Sequence, residues 1–202
     1  MPRVEGCPTG LVKHAVRDAV IEFCERTLMW KHAFAAVDIV ADQDNYTFTA
    51  PDGTVLCCPT YVSINKTQLF PTNEEDLDNT IPEWRNSTSR QPGSFYMDYD
   101  GTMYLVPTPS ENFVAGLSVE AALKPAITAD TIPDWLYNNW AEVISHGALM
   151  RLHSMVGKVW ADTQMVALHR AKFKEGITRA KSKTMKSFAK QGKSVQPRSF
   201  WE

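Results

Sequence analysis

The chain has 202 residues and a net charge of −2, with 44% hydrophobic and 22% charged residues. This composition is that of an ordinary globular protein and excludes disorder of the whole chain. No apolar run approaches the ~18 residues that span a bilayer. Residues 1–6 lack the apolar stretch of a signal peptide, so we expect synthesis and folding in a reducing cytoplasm.

The charges are divided unevenly along the chain. Residues 168–202 carry ten Lys and Arg against two Glu, a net charge of +8, whereas the other 167 residues carry 11 basic and 21 acidic groups, a net charge of −10. Exposed charges act over roughly a Debye length of about 8 to 10 Å. We therefore expect an acidic body and a basic arm that meet different surroundings.

The first half of the chain predicts one helix followed by strands. Residues 11–31 repeat apolar side chains at steps of three and four, which is typical of an amphipathic helix. From residue 37 the period becomes two, and residues 51–54 supply the turn of a predicted β-hairpin that joins 46–50 to 55–58. Thr72 and Glu75 have the spacing of a capping box before a short acidic helix.

A second hairpin is predicted around Asp100 and Gly101. This dipeptide suits a type I′ turn and is flanked by predicted strands at 95–99 and 102–106. Residues 113–121 alternate in a further strand, with Phe113, Ala115 and Leu117 on one face. These segments together predict a small antiparallel β-domain of about six strands.

Helical periodicity returns after Pro125. Pro133 suits the first turn of a helix whose apolar stripe continues to Gly157, and Asp162 suits the N-cap of a last helix. The predicted fold class is therefore α+β. It consists of a helical bundle from residues 1–36 and 126–190, an inserted antiparallel β-domain at 37–125, and an extended basic C-terminal arm at 191–202.

One motif resembles a catalytic site. Asp98 and Asp100, in the pattern Asp-x-Asp-Gly-Thr after an apolar strand, resemble the nucleophile motif of haloacid-dehalogenase-type phosphatases. In that family the first Asp attacks phosphorus, the second acts as acid and base, and carboxylates hold Mg²⁺. The family requires a parallel sheet with crossover helices, whereas here a second strand follows at once. A Mg²⁺-dependent phosphatase is therefore a remote alternative.

The histidines and cysteines do not have the spacing of a metal site. His146 and His153 lie seven residues apart on one face of a predicted helix, without the Glu-x-x-His or His-Glu-x-x-His pattern of helix-borne metal ligands. The four cysteines lack a C-x-x-C spacing and are interpreted as small core residues. We predict no catalytic residue, no metal site and no cofactor.

Aromatic residues near helix ends are candidates for contacts between proteins, where aromatics are enriched. Trp135 and Trp160 are candidates for subunit interfaces, whereas Trp140 is expected in the bundle core. Phe200 and Trp201 end the cationic arm, and we predict that they anchor it in a groove of a partner. The predicted partner-binding residues of this arm are Lys172, Arg179, Lys181, Lys183, Lys186, Lys190, Lys193, Arg198, Phe200 and Trp201.

Several segments resemble the head-to-tail adaptor proteins of short-tailed bacteriophages, also called tail tubular protein A or gatekeeper-type adaptors. In that family a helix begins near Pro-x-Trp-Leu and runs through Gly-Ala-x-x-Arg-Leu, a Lys/Pro-Trp-x-Asp linker follows, and a long last helix carries Phe…Gly-Ile…Ala-Lys. The corresponding segments here are Pro133-Asp134-Trp135-Leu136, Gly147-Ala148-Leu149-Met150-Arg151-Leu152, Lys158-Val159-Trp160-Ala161-Asp162 and Phe173…Gly176-Ile177…Ala180-Lys181. Val159 stands where many relatives have Pro, so the resemblance does not extend to a rigid linker at this position.

The resemblance implies a helical bundle with an inserted β-domain, in a ring of twelve copies between the portal protein ring and the tail nozzle. It implies a virion protein of the head–tail junction, with the genomic DNA passing through the channel without specific binding. Our hypothesis is that acidic groups of the body line this channel and repel DNA phosphates, while the basic arm docks on the portal.

A different alternative is a basic nucleic-acid-binding module, because the cationic arm has enough charge to neutralise several phosphates. The acidic body argues against it, since it would repel duplex DNA.

Overall fold

The computed structural model describes residues 4–98 and 100–185. Within these ranges the chain forms four α-helices and eleven strands. The helices are α1 (Thr9–Thr27), α2 (Glu74–Thr80), α3 (Asp134–His153) and α4 (Thr163–Met185). The strands are β1 (Lys31–Ala33), β2 (Val37–Ile39), β3 (Asn45–Thr47), β4 (Thr54–Ile64), β5 (Thr67–Gln68), β6 (Phe70–Pro71), β7 (Thr88–Ser89), β8 (Ser94–Met97), β9 (Thr102–Val106), β10 (Thr108–Pro109) and β11 (Phe113–Pro125).

Helices α1, α3 and α4 share one hydrophobic core. Phe23 of α1 packs against Trp140 of α3 with ring centroids 5.4 Å apart, and Phe173 and Ile177 of α4 are buried in the same cluster. Burying an aliphatic or aromatic side chain of this size contributes roughly 1.5 to 3 kcal/mol each. The prediction that Trp140 is a core residue is confirmed, since its exposed fraction is 2%.

The helix ends follow from local capping groups. The carboxylate of Asp162 accepts hydrogen bonds from the backbone N–H groups of Gln164 and Met165, which confirms the predicted N-cap of α4. The prediction for α1 was too long, because the helix ends at Thr27 rather than at residue 31. Leu28 adopts a left-handed conformation with φ of 50° and donates its N–H to Cys24 O, which turns the chain out of the helix.

The strands form two main sheets with a core between them. One sheet has the order β1-β11-β4-β5, with β2 also paired to β11, and the other has the order β3-β9-β8-β6. Ile64 and Leu117 of the first sheet and Met103 and Leu105 of the second belong to one buried cluster. Strand β11 also lies against α1, and its Leu123 N–H donates to Trp30 O at 2.7 Å, so β11 connects the sheets to the helices.

The predicted hairpin between residues 46–50 and 55–58 is wrong. Residues 46 and 47 belong to β3 and residues 55–58 belong to β4. However, β3 pairs with β9 (Tyr46 opposite Met103), while β4 pairs with β11 (Cys58 opposite Ala122). Alternation identifies the buried face of a strand and does not identify its partner. The turn at residues 51–54 therefore joins two strands that belong to different sheets.

The hairpin around Gly101 is confirmed, but its turn is different. Strands β8 and β9 pair antiparallel, with Met97 opposite Met103. Gly101 N–H donates to Asp98 O and Asp98 N–H donates to Thr102 O, so the loop is longer than the two residues of a type I′ turn. Gly101 has φ of 89°, as in loops in which a left-handed residue follows a type I turn.

Three further local predictions need correction. Residues 37–125 contain ten described strands rather than about six, and the pairs β6–β8 and β7–β10 are parallel. The N-cap of α2 is Asn73, whose side chain accepts from Asp76 N–H, rather than Thr72. Strand β11 bulges between Phe113 and Leu117, so Ala115 is exposed and has φ of 49°.

The mixed α+β class is thus confirmed. The division into a bundle and an inserted domain remains a prediction, and β1 lies within the residues predicted for the bundle. The C-terminal arm at 191–202 lies outside the described residues.

Candidate interaction surfaces

Helix α4 presents a basic surface. Its buried side is formed by Phe173, Ile177 and Ala180 together with Gly176, and this side faces the helical core. The remaining positions are largely exposed and include six cations, which we call the α4 cations. They are Arg170, Lys172, Lys174, Arg179, Lys181 and Lys183. The described part of α4 contains one acidic residue, Glu175, so this surface is strongly positive.

The predicted arm residues within α4 have different surroundings. Lys172 lies 3.8 Å from Glu175, which is a weak exposed ion pair. Arg179 and Lys183 lie over the Trp140 ring, at 5.6 and 5.2 Å from its centroid, so each also covers the edge of the helical core. Lys181 is exposed. The other predicted arm residues lie outside the described residues. They are Lys186, Lys190, Lys193, Arg198, Phe200 and Trp201.

The two tryptophans predicted at subunit interfaces occupy different environments. Trp135 lies in the first turn of α3 and is 38% exposed, beside the more exposed Tyr137. Trp160 is half-buried against the helical core. Its Nε1–H is buried and has no hydrogen-bond partner among the described residues. Trp135 is therefore more available to a partner than Trp160.

Sequence reasoning missed an apolar surface where α3 turns into α4. We call residues 154–162 the α3–α4 corner. Within it Val156 is 94% exposed and Val159 is 95% exposed, and Leu168 at the start of α4 is 50% exposed. An open groove of about 510 Å³ borders this corner and is lined partly by Val159 and Trp160. The signal in the sequence was the pair of valines on either side of Gly157, where the helical period breaks.

An acidic and aromatic surface lies on the β-rich side. Helix α2 exposes Glu74, Glu75, Asp76 and Asp78. Beside it, Tyr96 stacks on Tyr104 with ring centroids 4.9 Å apart. Burial, together with the charge of Glu74, raises the pKa of Tyr96 to about 12, so this phenol stays neutral. The surface of α2 is thus opposite in charge to that of α4.

The phosphatase motif lies in the loop between β8 and β9. Thr102 N–H donates to Asp100 Oδ1 at 2.8 Å, and this bond holds the pKa of Asp100 below its ordinary value. Asp98 uses its backbone to close the same loop. The motif lies in the turn of a hairpin between two antiparallel strands of a mixed sheet, whereas in those phosphatases it follows a strand of a parallel sheet. In residues 4–98 and 100–185, no group of three His, Cys, Asp or Glu residues is placed to hold a metal ion.

Two comparisons bear on the identity of the chain. The sequence profile of a family described as SU10 adaptor protein matches residues 8–195. The comparison with curated proteins finds no match. Among the described helices, none has the length and apolar character needed to cross a membrane.

Proposed function

The chain belongs to the SU10 adaptor protein family, because the family profile matches nearly the whole length of the chain. We propose that this protein joins the portal ring to the tail nozzle of a bacteriophage. The family is one of phage structural adaptor proteins, which implies a component of the virion. In the proposed arrangement the chain lies at the head–tail junction and contacts two other proteins, the portal ring and the tail nozzle.

The observation that carries this proposal is the exposed cationic surface of α4, which contains the first of the predicted partner-binding residues. Lys181 is exposed, and Lys172 has only a distant carboxylate at 3.8 Å, so both are available to an acidic partner surface. Electrostatic complementarity of this kind speeds association and selects partners more than it raises affinity. We propose that the portal supplies the acidic surface and that Phe200 and Trp201 add an apolar anchor.

We further propose that about twelve copies form a ring whose acidic surfaces face the channel. Exposed carboxylates such as those of α2 would repel DNA phosphates, so the genome would pass without binding.

Mass measurement of the chain with and without purified portal rings tests the proposal. We expect a stable complex of portal and adaptor copies, and we expect the double variant Lys172→Glu and Lys181→Glu to weaken it by tenfold or more. The control Lys13→Glu changes an exposed cation of α1 and should leave attachment unchanged. The double variant Phe200→Ala and Trp201→Ala should remain folded and also attach weakly. Unchanged attachment of both double variants would contradict the proposed role of the arm.

The α4 cations also support a second candidate, a nucleic-acid-binding module. Its signature would be DNA affinity of the isolated chain that falls steeply with salt, because phosphate neutralisation releases counterions. Removal of residues 180–202 would then abolish binding. If the chain binds DNA weakly and portal rings strongly, the adaptor function is favoured.

A further inference from the structure

Three histidines meet where α3 packs against α4. His146 Nδ1 lies 2.9 Å from His169 Nδ1, and their ring centroids are 5.0 Å apart. The ring of His153 is nearly parallel to that of His169, at 9° and with centroids 5.6 Å apart. All three side chains are half-buried. His169 of α4 therefore contacts two histidines of α3, and we call the three the histidine cluster.

The contact between His146 and His169 limits how many protons the cluster can hold. A hydrogen bond between two ring nitrogens requires one Nδ1–H donor and one bare Nδ1 acceptor. One added proton leaves this bond intact, because it binds at a nitrogen outside the contact. A second proton would fill the acceptor and bring two N–H groups together at 2.9 Å. The pair therefore cannot be fully protonated while the helices keep their present packing.

His153 adds a third positive charge to the same place when it is protonated. Its Nδ1 lies 2.7 Å from Trp160 O, and a carbonyl oxygen only accepts, so Nδ1 carries the hydrogen. Its remaining nitrogen, Nε2, is the position at which a proton binds. The resulting imidazolium would then stack on His169, and like charges at this separation repel.

Four carboxylates of the described residues line cavities beside the cluster, and within the part of the chain that the structure describes none of them is hydrogen-bonded to one of the three histidines. Along the seam near His146, Glu142 of α3 and Glu175 of α4 line one small cavity together with two cations, Lys172 and Arg179. At the other end, Asp162 and Glu5 line the groove beside His153. The Asp162 carboxylate already accepts two backbone N–H groups of α4. From α1, Glu22 is bound to Arg151 of α3.

We propose that the histidine cluster is a pH-sensitive latch that holds the first half of α4 and the α3–α4 corner against α3 at neutral pH and releases them in mild acid. The second half of α4 is fixed by the buried Phe173, Ile177 and Ala180, whereas Val166 and His169 of the first half are only half-buried. Burial, with smaller contributions from His146 and His153, lowers the pKa of His169, so protons bind better to the released state. The latch goes beyond the adaptor function and does not depend on it.

Hydrogen exchange of the full chain, followed by mass spectrometry at about pH 7.5 and about pH 5.5, tests the latch. After correction for the intrinsic effect of pH, we expect amides of residues 154–172 to exchange about tenfold faster in acid, because the released state binds the additional protons. Amides of residues 173–185 should change much less. Equal corrected rates at the two pH values for residues 154–172 would overturn the proposal without any variant.

The variant His169→Gln removes the central titrating group and keeps a hydrogen-bonding side chain. It should make exchange in residues 154–172 nearly independent of pH. The matched control His14→Gln changes an exposed histidine of α1 and should keep the wild-type pH dependence. If His169→Gln does not fold, His153→Gln leaves the pair of His146 and His169 intact and should reduce the acid effect. Full pH dependence in the folded His169 variant would overturn the proposal.

Discussion

Gly176 marks the closest approach of α3 and α4. A Cβ atom built on Gly176 would lie 2.4 Å from Val143 Cγ1, and one built on Gly147 would lie 2.8 Å from Phe173 Cε2. Both distances are shorter than any real packing contact, so the two helices approach closely because these positions lack side chains. The glycines explain how Phe173 reaches the core between α1 and α3.

We expect Gly176→Ala to destabilise the fold by about 1 to 3 kcal/mol, the usual cost of overpacking a core, even though Ala favours helix. The measurement is the free energy of unfolding from chemical denaturation. Gly10→Ala is the matched control, because nothing lies within 4 Å of a Cβ at Gly10 in α1. This control should be neutral or slightly stabilising, and an equal loss in both variants would contradict the packing argument.

Glu22 of α1 forms a salt bridge with Arg151 of α3. Its carboxylate accepts from Arg26 at 2.9 Å and from Arg151 at 2.5 Å. Burial alone would raise the pKa of Glu22, but the two arginines outweigh burial and hold this pKa below its ordinary value. A carboxyl whose pKa falls on folding stabilises the fold above its unfolded pKa, and the contribution disappears as the pH decreases through the folded pKa.

We therefore expect Glu22→Gln to cost stability at pH 7 and to cost progressively less below about pH 4.5. Because these side chains are partly exposed to solvent, the loss at pH 7 should be about 0.2 to 1 kcal/mol. Chemical denaturation of both proteins across this pH range measures the difference. The exposed Glu83→Gln serves as control and should show a smaller loss at pH 7. A constant difference between the Glu22 variant and the native chain at all pH values would contradict the interpretation.

The elements differ in how well the sequence predicted them. The helices α3 and α4 were predicted from their 3.6-residue period, because each keeps one apolar side along its length and has a local start signal at Pro133 or Asp162. The end of α1 was missed because Leu28 takes a left-handed conformation that usually favours Gly. The sequence therefore predicts the end of a helix well only where the residue at that end is a usual capping residue.

Strand pairing was harder to predict because the partners are distant in sequence. Tyr46 lies opposite Met103, and Val62 lies opposite Val119. The paired strands are therefore far apart in sequence and are not joined by a single turn. Of the predicted hairpins, only β8–β9 was correct, because its turn at Gly101 has a local sequence signal.

The interaction surfaces were also predicted only where they depend on residues close in sequence. The charge of α4 is visible in the sequence, whereas the meeting of His146 with His169 depends on how α3 and α4 pack.

The start of α2 provides a test of capping. Asn73 Oδ1 accepts from Asp76 N–H at 2.7 Å, while the neighbouring Thr72 was the predicted cap. We expect Asn73→Ala to destabilise this segment by about 1 kcal/mol and Thr72→Ala to have a much smaller effect. Hydrogen exchange of amides in residues 74–80 measures the difference. A larger effect of the Thr72 variant would show that Thr72, and not Asn73, is the N-cap of α2.

At the scale of the whole molecule, the described chain has separate helical and β cores. Leu152 belongs to the first and Met103 to the second, and both are completely buried. The two cores adjoin through α1 and β11, where Lys124 pairs with Glu25 at 2.5 Å. This arrangement predicts two units that lose stability separately when one core is damaged.

We expect Met103→Ala to cost about 2 to 5 kcal/mol, as large-to-small changes in a core do. Its effect on hydrogen exchange should concentrate in β3, β8 and β9 and be smaller in α3. Leu152→Ala is the reciprocal control and should accelerate exchange in α1, α3 and α4. Equal acceleration everywhere in both variants would show that the molecule unfolds as one unit.

The long pairing of β11 with β4 has a mechanical consequence. The ladder extends from Leu117 opposite Ile64 to Pro125 opposite Thr54, so a force along the strands must break many hydrogen bonds together. The α3–α4 contact is made by side chains and can separate gradually from one end. Under tension, such a subunit would keep its sheet intact and deform first between its helices.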